Sequence, residues 1–215
     1  MNREFVLLAG LFLLLAGCDR VPEKIKTDHT KKIQNENKKA EETFSPFYIF
    51  AEKGSKDNHY VPSGFMPDGQ CVKLNDGWTE NCHKGSSCIK VVYDVVCSKA
   101  GANWAGVYWL NPANNWGKRK GGYNLSGAHQ LTFWAKGEKG GEQIQEFTIG
   151  GINGDYPDTD LAVMGPVILT NEWRKYTIDL SGKDLSSIIG GFSWTTSVEV
   201  NSDDVVFYLD EIRFE

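Results

Sequence analysis

The sequence predicts an all-β domain built as a β-sandwich, and three observations support this. Short runs rich in β-branched and aromatic residues recur along the chain, with Gly, Asn and Asp between them. The last run, 205–214, alternates apolar and polar residues through its second half, which indicates a strand with two unlike faces. Helical periodicity is absent from the sequence after residue 17. Many short strands in one domain are typical of a sandwich or a barrel.

The strand-like runs can be placed one by one from their composition and from the turn residues that separate them. We expect ten strands, at residues 47–51, 71–74, 87–96, 106–110, 130–135, 144–151, 167–169, 174–179, 188–194 and 205–214.

Residues 1–17 are predicted to be a bacterial lipoprotein signal peptide. Arg3 is a minimal basic region, and the apolar run at 5–16 is too short to span a bilayer as a stable helix. It leads into Leu-Ala-Gly-Cys, the lipoprotein cleavage box, in which the Cys18 thiol accepts a diacylglycerol. A cleaved secretory signal followed by an incidental cysteine is the alternative. Two or three acyl chains on Cys18 would anchor the protein stably, whereas one chain is marginal.

This leader predicts that the protein lies in the bacterial cell envelope, attached to a membrane through its lipid. Asp19 follows the lipidated cysteine and resembles the residue that retains lipoproteins on the inner membrane in enterobacterial-type sorting. If Asp19 acts as such a signal, the protein faces the periplasm from the inner membrane.

Residues 18–44 are predicted to form a flexible tether. Lysine, glutamate and asparagine dominate this stretch, so it cannot bury enough apolar surface to offset the entropy lost on ordering. Residues 45–215 then make one domain of ordinary size. That domain carries 15 Lys and Arg against 21 Asp and Glu, and the acidic balance argues against nucleic acid as a partner.

Four cysteines, Cys71, Cys82, Cys88 and Cys97, lie within one segment of the predicted domain. An even number in an exported protein indicates two disulfides, with thiolate metal ligation as the alternative. Three pairings are possible. If residues 71–75 and 88–97 form an antiparallel hairpin, the pairs Cys71–Cys97 and Cys82–Cys88 nest inside one another.

Several segments together resemble a known family of domains. They are "EWRKYTIDLSG" at 172–182 and "FYLDEIRFE" at 207–215, with "GANWAGVYWLNPANNWG" at 101–117 and "GGYNLSGAHQLTFWAKGEKGGE" at 121–142. These segments resemble jelly-roll carbohydrate-binding modules of the galactose-binding-like type. The resemblance covers most of residues 47–215, and it implies a jelly-roll sandwich that binds a saccharide or glycan.

Sugar-binding surfaces combine flat aromatic rings, which stack on the apolar face of a pyranose, with amides and charged groups for its hydroxyls. Loop 111–119 has this composition, although Trp116 could instead cover the end of the sandwich. Trp134 and Trp194 are expected in the core. The candidate ligand-binding residues are Trp104, Trp109, Asn115, Trp116, Arg119 and Tyr156.

The resemblance also implies a structural calcium ion, because the aspartate of the final strand commonly helps to hold one in this family. The matching residue is Asp210, and calcium prefers carboxylate, amide and carbonyl oxygens. Glu52 and Asp57, after the first predicted strand, are the expected further ligands. Exposed acids that pair with nearby lysines are the alternative.

The predicted function is non-catalytic carbohydrate binding by a lipid-anchored module. One alternative is a structural or protein-binding envelope lipoprotein on the same fold, with envelope proteins as partners, since fold alone does not fix function. A second is a glycoside hydrolase that uses Glu142 and Glu146 as paired carboxylates. That pair lacks the intervening aspartate of the laminarinase-type enzymes.

Overall fold

A computed structural model describes residues Phe44–Glu215, which form one compact unit. The predictions for the signal peptide, for lipidation at Cys18 and for most of the tether lie outside these residues. The described strands are β1 (Phe47–Phe50), β2 (Val61–Pro67), β3 (Val72–Trp78), β4 (Cys88–Tyr93), β5 (Trp104–Leu110), β6 (Gln130–Gly137), β7 (Gln143–Ile144), β8 (Glu146–Gly150), β9 (Leu161–Met164), β10 (Val167–Ile168), β11 (Arg174–Asp179), β12 (Gly190–Ser197) and β13 (Val205–Phe214).

Two antiparallel sheets form a sandwich, as predicted. The six-stranded sheet has the order β11-β6-β13-β4-β3, with β1 added alongside β13. The five-stranded sheet has the order β2-β5-β12-β8-β9. Strands β7 and β10 pair with each other at one end. Within Phe44–Glu215, no helix is long and apolar enough to cross a membrane.

The core lies between the two sheets and is rich in aromatic side chains. Phe133 of the six-stranded sheet meets Phe147 of the five-stranded sheet with ring centroids 4.6 Å apart, and Trp194 meets Phe207 at 5.1 Å. All four side chains are fully buried. Such pairs add to the stabilisation that comes from burial of their area. The prediction that Trp194 is a core residue is confirmed.

Strand β13 departs from the simple alternation in the sequence. Phe207 and Leu209 are buried on the core side, and so are Ile212 and Phe214, which have the opposite parity. The pairing with β6 shifts between Asp210 and Arg213, and Glu211 has a positive φ of 49°. This β-bulge adds one residue and so returns both apolar pairs to the core.

The ten predicted strands correspond to eleven observed ones, because the predicted strand at 144–151 is divided between β7 and β8; two strands were omitted and one extension was wrong. The sequence did not predict β2, which contains two prolines and lies at the sheet edge, where a missing N–H is tolerated. It also missed β9. The predicted strand at 87–96 ends early, because residues 95–99 form a short helix, α1 (Val95–Lys99). Asp94 caps this helix by accepting a hydrogen bond from the Cys97 N–H at 2.8 Å.

Both nested disulfides are present. Cys71–Cys97 links the start of β3 to α1, and Cys82–Cys88 closes the loop between β3 and β4. Strands β3 and β4 pair antiparallel, as the nested pairing required.

Candidate functional site

The outer surface of the five-stranded sheet, which we call the five-strand face, carries small side chains between aromatic ones. Since Ala105, Val107 and Trp109 point into the core, their neighbours on β5 point outward. The outward residues of the three central strands are Trp104, Gly106 and Tyr108 of β5, Ser193, Thr195 and Ser197 of β12, and Glu146, Thr148 and Gly150 of β8. The middle of this face is therefore a floor of glycine, serine and threonine.

Gly106 lies on this floor between two aromatic residues of the same strand. A Cβ at this position would lie 2.5 Å from the Trp194 carbonyl oxygen and 2.9 Å from a Thr195 methyl carbon, so a larger residue does not fit. Trp104 and Tyr108 flank it, and their Cα atoms lie roughly 13 Å apart at the rise of an extended strand. The span between these two aromatic residues is therefore long enough for more than one sugar ring.

Trp104 borders an open cavity of about 390 Å³ at one end of this floor. Its side chain is 38% exposed. The other lining residues are mostly polar and include Asn103, Gln145, Glu146, Thr195 and Glu199. An exposed indole beside amide, hydroxyl and carboxylate groups matches the composition expected of a saccharide site.

Trp116 lies at the other end, on loop 111–122. Its ring packs edge-on to Tyr108, with centroids 5.9 Å apart and an interplanar angle of 82°. Gly64 of β2 makes room for it, since a Cβ there would lie 2.9 Å from Trp116 Cζ2. Trp116 still exposes 38% of its surface. The sequence correctly identified it as an exposed aromatic residue.

Asn115 was predicted to contact ligand, and the structure places it elsewhere. Its side chain is buried, and its amide donates to the Arg119 carbonyl at 2.8 Å. Its Oδ1 accepts from the backbone N–H groups of Lys118 and Arg119. Asn115 therefore shapes the loop that presents Trp116, and it acts as a positioning residue. The Arg119 side chain is exposed and donates to the Ala113 carbonyl within the same loop.

Tyr156 is 40% exposed, and its loop joins the Trp116 loop through a hydrogen bond from the Tyr156 N–H to the Gly117 carbonyl at 3.0 Å. Asp158 holds this loop in place. Its carboxylate accepts N–H groups of Ile152, Ile189 and Gly190. Burial raises the pKa of Asp158 against the opposing effect of these hydrogen bonds.

Trp109 was also predicted to contact ligand, and this prediction is wrong. It is 1% exposed and packs against Phe192 in the core with ring centroids 5.5 Å apart. The alternation on β5 that points Tyr108 outward necessarily points Trp109 inward. Tyr108 takes its place on the face and donates to the Gly150 carbonyl at 3.0 Å.

The outer surface of the six-stranded sheet, which we call the six-strand face, carries a cluster of aromatic and lysine side chains that the sequence did not assign to a site. It comprises Trp78, Lys90, Trp134, Lys136, Trp173 and Tyr208. Trp134 was expected in the core, but it is half-buried on this face and stacks on His83 at 3.6 Å. Strand alternation could have found it, because Leu131, Phe133 and Ala135 take the opposite parity on β6.

Two of the predicted calcium ligands hold the loop at 79–87, between β3 and β4. The Glu52 carboxylate accepts the N–H and hydroxyl groups of both Ser86 and Ser87. Asp210 is fully buried and accepts the N–H groups of Lys84 and Glu211 at 3.0 and 2.8 Å. Burial raises the pKa of Asp210 to about 6 despite these hydrogen bonds. Both carboxylates therefore already have N–H donors as partners.

Asp57, the third predicted ligand, lies in a turn in which its N–H donates to the Ser55 hydroxyl at 3.1 Å. Among the described residues, no group of three or more His, Cys, Asp or Glu side chains is arranged to hold a metal ion. Calcium binding would thus need carbonyl or amide oxygens besides these carboxylates. It stays a prediction from the sequence.

The two glutamates of the glycosidase alternative do not share a cavity. Glu142 is 9% exposed, accepts the Lys139 N–H at 2.8 Å and borders a cavity together with residues 200–205. Glu146 is exposed and borders the cavity beside Trp104. Paired catalytic carboxylates must flank one scissile bond, and this arrangement does not provide that geometry.

The sequence matches no protein-family model, and no curated protein is similar to it in sequence. Solved structures, in contrast, share its fold. A family 30 carbohydrate-binding module superposes with a TM-score of 0.50 at 17% identity, covering 80% of this chain and 98% of that one. The jelly-roll fold predicted from the sequence is therefore confirmed.

Two further solved structures are similar at lower scores. A family 11 module from Clostridium thermocellum, in complex with a β-1,3-1,4-mixed-linked tetrasaccharide, has a TM-score of 0.43 at 17% identity and covers 66% of this chain and 80% of that one. A mutant of a family 29 module, CBM29-2, has a TM-score of 0.45 at 11% identity and covers 80% and 91%.

Proposed function

We propose that this protein is a non-catalytic carbohydrate-binding module and that the five-strand face is its binding surface. One observation carries the proposal. Trp104 and Trp116 remain more than one third exposed at opposite ends of a floor of glycine, serine and threonine. Exposed apolar surface marks an interaction site where it is contiguous, and Leu161 and Val163 of β9 are exposed on the same sheet.

The chemistry of this face suits a neutral or weakly charged saccharide. The indole rings of Trp104 and Trp116 offer apolar surface to the C–H faces of two sugar rings. Thr195 and the polar residues beside Trp104 offer hydroxyl, amide and carboxylate groups to the sugar hydroxyls. Tyr156, whose loop is hydrogen-bonded to Gly117, offers a third exposed aromatic ring.

The fold supports this proposal, since the solved structure with a TM-score of 0.50 is a carbohydrate-binding module. The separation of Glu142 from Glu146 into two cavities supports binding without hydrolysis. We further propose that the module is held at a membrane of the cell envelope by acyl chains on Cys18, which rests on the cleavage box in the sequence alone.

A glycan array probed with the full-length protein, followed by calorimetry on the best ligand, tests this proposal. We expect Trp104→Ala and Trp116→Ala each to weaken glycan binding. Trp173→Ala, which removes a tryptophan from the six-strand face, is the matched control and should bind as the unmodified protein does. An array without binding, or binding that survives the loss of Trp104, Trp116 and Tyr156 together, would overturn the proposal.

The membrane part of the proposal has its own test. Expression in a bacterium with labelled palmitate should label the protein, and Cys18→Ala should abolish the label. Fractionation then decides between the two membranes, since Asp19 predicts the inner one. Label on the Cys18→Ala variant would contradict the assignment of Cys18.

A further inference from the structure

The six-strand face contains a small polar pocket on the side of the sandwich opposite the proposed saccharide surface. Its volume is about 160 Å³, which suits a single small molecule. Its floor is formed by side chains of neighbouring strands, because Tyr208 of β13 pairs with Lys90 of β4 on one side and with Lys136 of β6 on the other. Trp78, Glu80, Asn81 and Glu138 complete the lining.

Two lysines lie on either side of Tyr208 and contact aromatic rings. Lys90 Nζ lies 4.0 Å from the Trp78 ring centroid and 5.5 Å from that of Tyr208. Lys136 Nζ lies 4.8 Å from the Tyr208 centroid and 5.6 Å from that of Trp173. Within Phe44–Glu215, neither lysine takes part in an ion pair. Both ammonium groups therefore line the pocket, and each one lies against aromatic surface.

Hydrogen bonds fix the aromatic side chains around these lysines. Trp78 Nε1 donates to the Glu80 carbonyl at 3.0 Å, and Trp173 Nε1 donates to the Asn81 carbonyl at 2.8 Å. The Tyr208 hydroxyl donates to the Glu138 carboxylate. The two carbonyls directly precede the Cys82–Cys88 disulfide, which constrains the same connection between β3 and β4. The pocket is therefore preorganised, which lowers the entropic cost of binding.

The lining offers two kinds of polar group. Lys90 and Lys136 offer two ammonium groups to an anion. The Glu80 and Glu138 carboxylates line the same pocket, where they can accept hydrogen bonds from hydroxyl groups and would repel a bare inorganic anion. A ligand that suits both groups has one carboxylate and several hydroxyl donors. Acidic monosaccharides have this chemistry.

We propose that this pocket binds a sugar acid, such as a hexuronic acid unit, with the sugar carboxylate between Lys90 and Lys136. The hydroxyls of the sugar donate to Glu80 and Glu138, and Asn81 supplies an amide. This second site lies on the other sheet from Trp104 and Trp116, and it does not depend on glycan binding there.

Calorimetric titration of the full-length protein with glucuronate, glucose and inorganic phosphate tests this proposal. We expect glucuronate to bind and glucose to bind far more weakly. Lys90→Met and Lys136→Met keep the alkyl stem over the aromatic rings but remove the charge, and each should weaken glucuronate binding by about tenfold. Added NaCl should weaken it as well.

Lys73→Met is the matched control, because it removes one exposed lysine from β3 outside the pocket, and it should leave the affinity unchanged. An equal loss in Lys73→Met, or equal affinity for glucose, would overturn the proposal. Equal binding of inorganic phosphate with the same dependence on Lys90 and Lys136 would overturn the assignment to sugar acids. Glucuronate binding that is lost in Trp104→Ala would place the ligand on the other face and would also reject the pocket.

The two proposals fail separately. Glycan binding that depends on Trp104, without any glucuronate binding, rejects only the pocket. Glucuronate binding that depends on the two lysines, without a positive glycan array, rejects only the five-strand face.

Discussion

The two outer faces of this sandwich both carry aromatic side chains, but they hold them in different ways. On the five-strand face, Trp104 and Trp116 stand apart, with small uncharged side chains between them. On the six-strand face, Trp78 and Trp173 bond to the connection between β3 and β4, which a disulfide constrains, and lysines lie against the rings. The first arrangement leaves an open surface along a strand, whereas the second leaves a small charged pocket. The difference indicates that the open aromatic surface of the five-strand face suits an extended ligand. The charged groups around the six-strand pocket suit a compact ligand.

The difference between the two faces is tested most directly by removing two tryptophans from one face at a time. We expect Trp104→Ala combined with Trp116→Ala to weaken glycan binding about 100-fold, since each lost stacking contact costs roughly 1.4 kcal/mol or more. Trp78→Ala combined with Trp173→Ala should leave glycan affinity unchanged. Calorimetry on both double variants checks this. A similar loss in the two variants would show that the faces are not independent.

Removal of the disulfide in the β3–β4 loop should lower stability and affect ligand binding on only one of the two faces. Replacing Cys82 and Cys88 by serine should lower the free energy of unfolding by about 2 kcal/mol on the chain-entropy model for so short a loop. It should weaken glucuronate binding but spare the glycan. Replacing Cys71 and Cys97, which are 26 residues apart, should cost more stability, about 3.5 kcal/mol. Urea titrations measure both effects, and a Cys82–Cys88 variant with intact glucuronate binding would contradict the role given to the loop.

The contribution of Asp158, which holds a loop beside the five-strand face, to the stability of the protein should depend on pH. Because burial raises its folded-state pKa above the ordinary value of 3.8, the folded protein holds this proton more tightly than the unfolded chain. Its contribution to stability is therefore greatest below pH 3.8 and falls as the pH rises through the folded-state pKa. We expect Asp158→Asn to lack this decline relative to the unmodified protein. Melting temperatures between pH 3 and pH 7 measure it, and parallel curves for the two proteins would reject the assignment.

Chelation should have the smallest effect of all. Glu52 and Asp210 already accept N–H groups of the loop on the six-strand face, so we expect EDTA to lower the melting temperature by less than about 2 °C. A larger fall that is reversed by added calcium would establish the calcium site predicted from the sequence. Asp57→Asn would then test whether that residue is a ligand.

Local sequence patterns were sufficient to predict much of the fold. Turn residues and β-rich runs located most strands, and the nested cysteine pairing followed once residues 71–75 and 88–97 were taken as a hairpin. Trp116 was correctly expected to be exposed because its neighbours form turns. These inferences needed only neighbours in the chain.

Other site residues depended on contacts that are remote in sequence. Trp109 and Tyr108 are adjacent, and which one faces the core is decided by tertiary packing, in which Phe192 of the neighbouring strand β12 packs on Trp109. Asn115 has the composition of a ligand contact, but its amide closes a loop. The pocket around Tyr208 is lined by residues of four strands and two loops, so no single segment shows it.

The last strand, β13, shows most directly which features follow from the local sequence and which follow from the tertiary structure. The sequence determined by itself that residues 205–214 form a strand and that Asp210 is an unusual acid within it. Only the tertiary structure decided which side chains face the core, because the bulge at Glu211 exchanges the two parities. It also gave Asp210 its partner, a loop whose N–H groups lie more than 120 residues away in the chain. Local sequence specifies backbone preference, whereas the pairing of buried polar groups is specified by the whole fold.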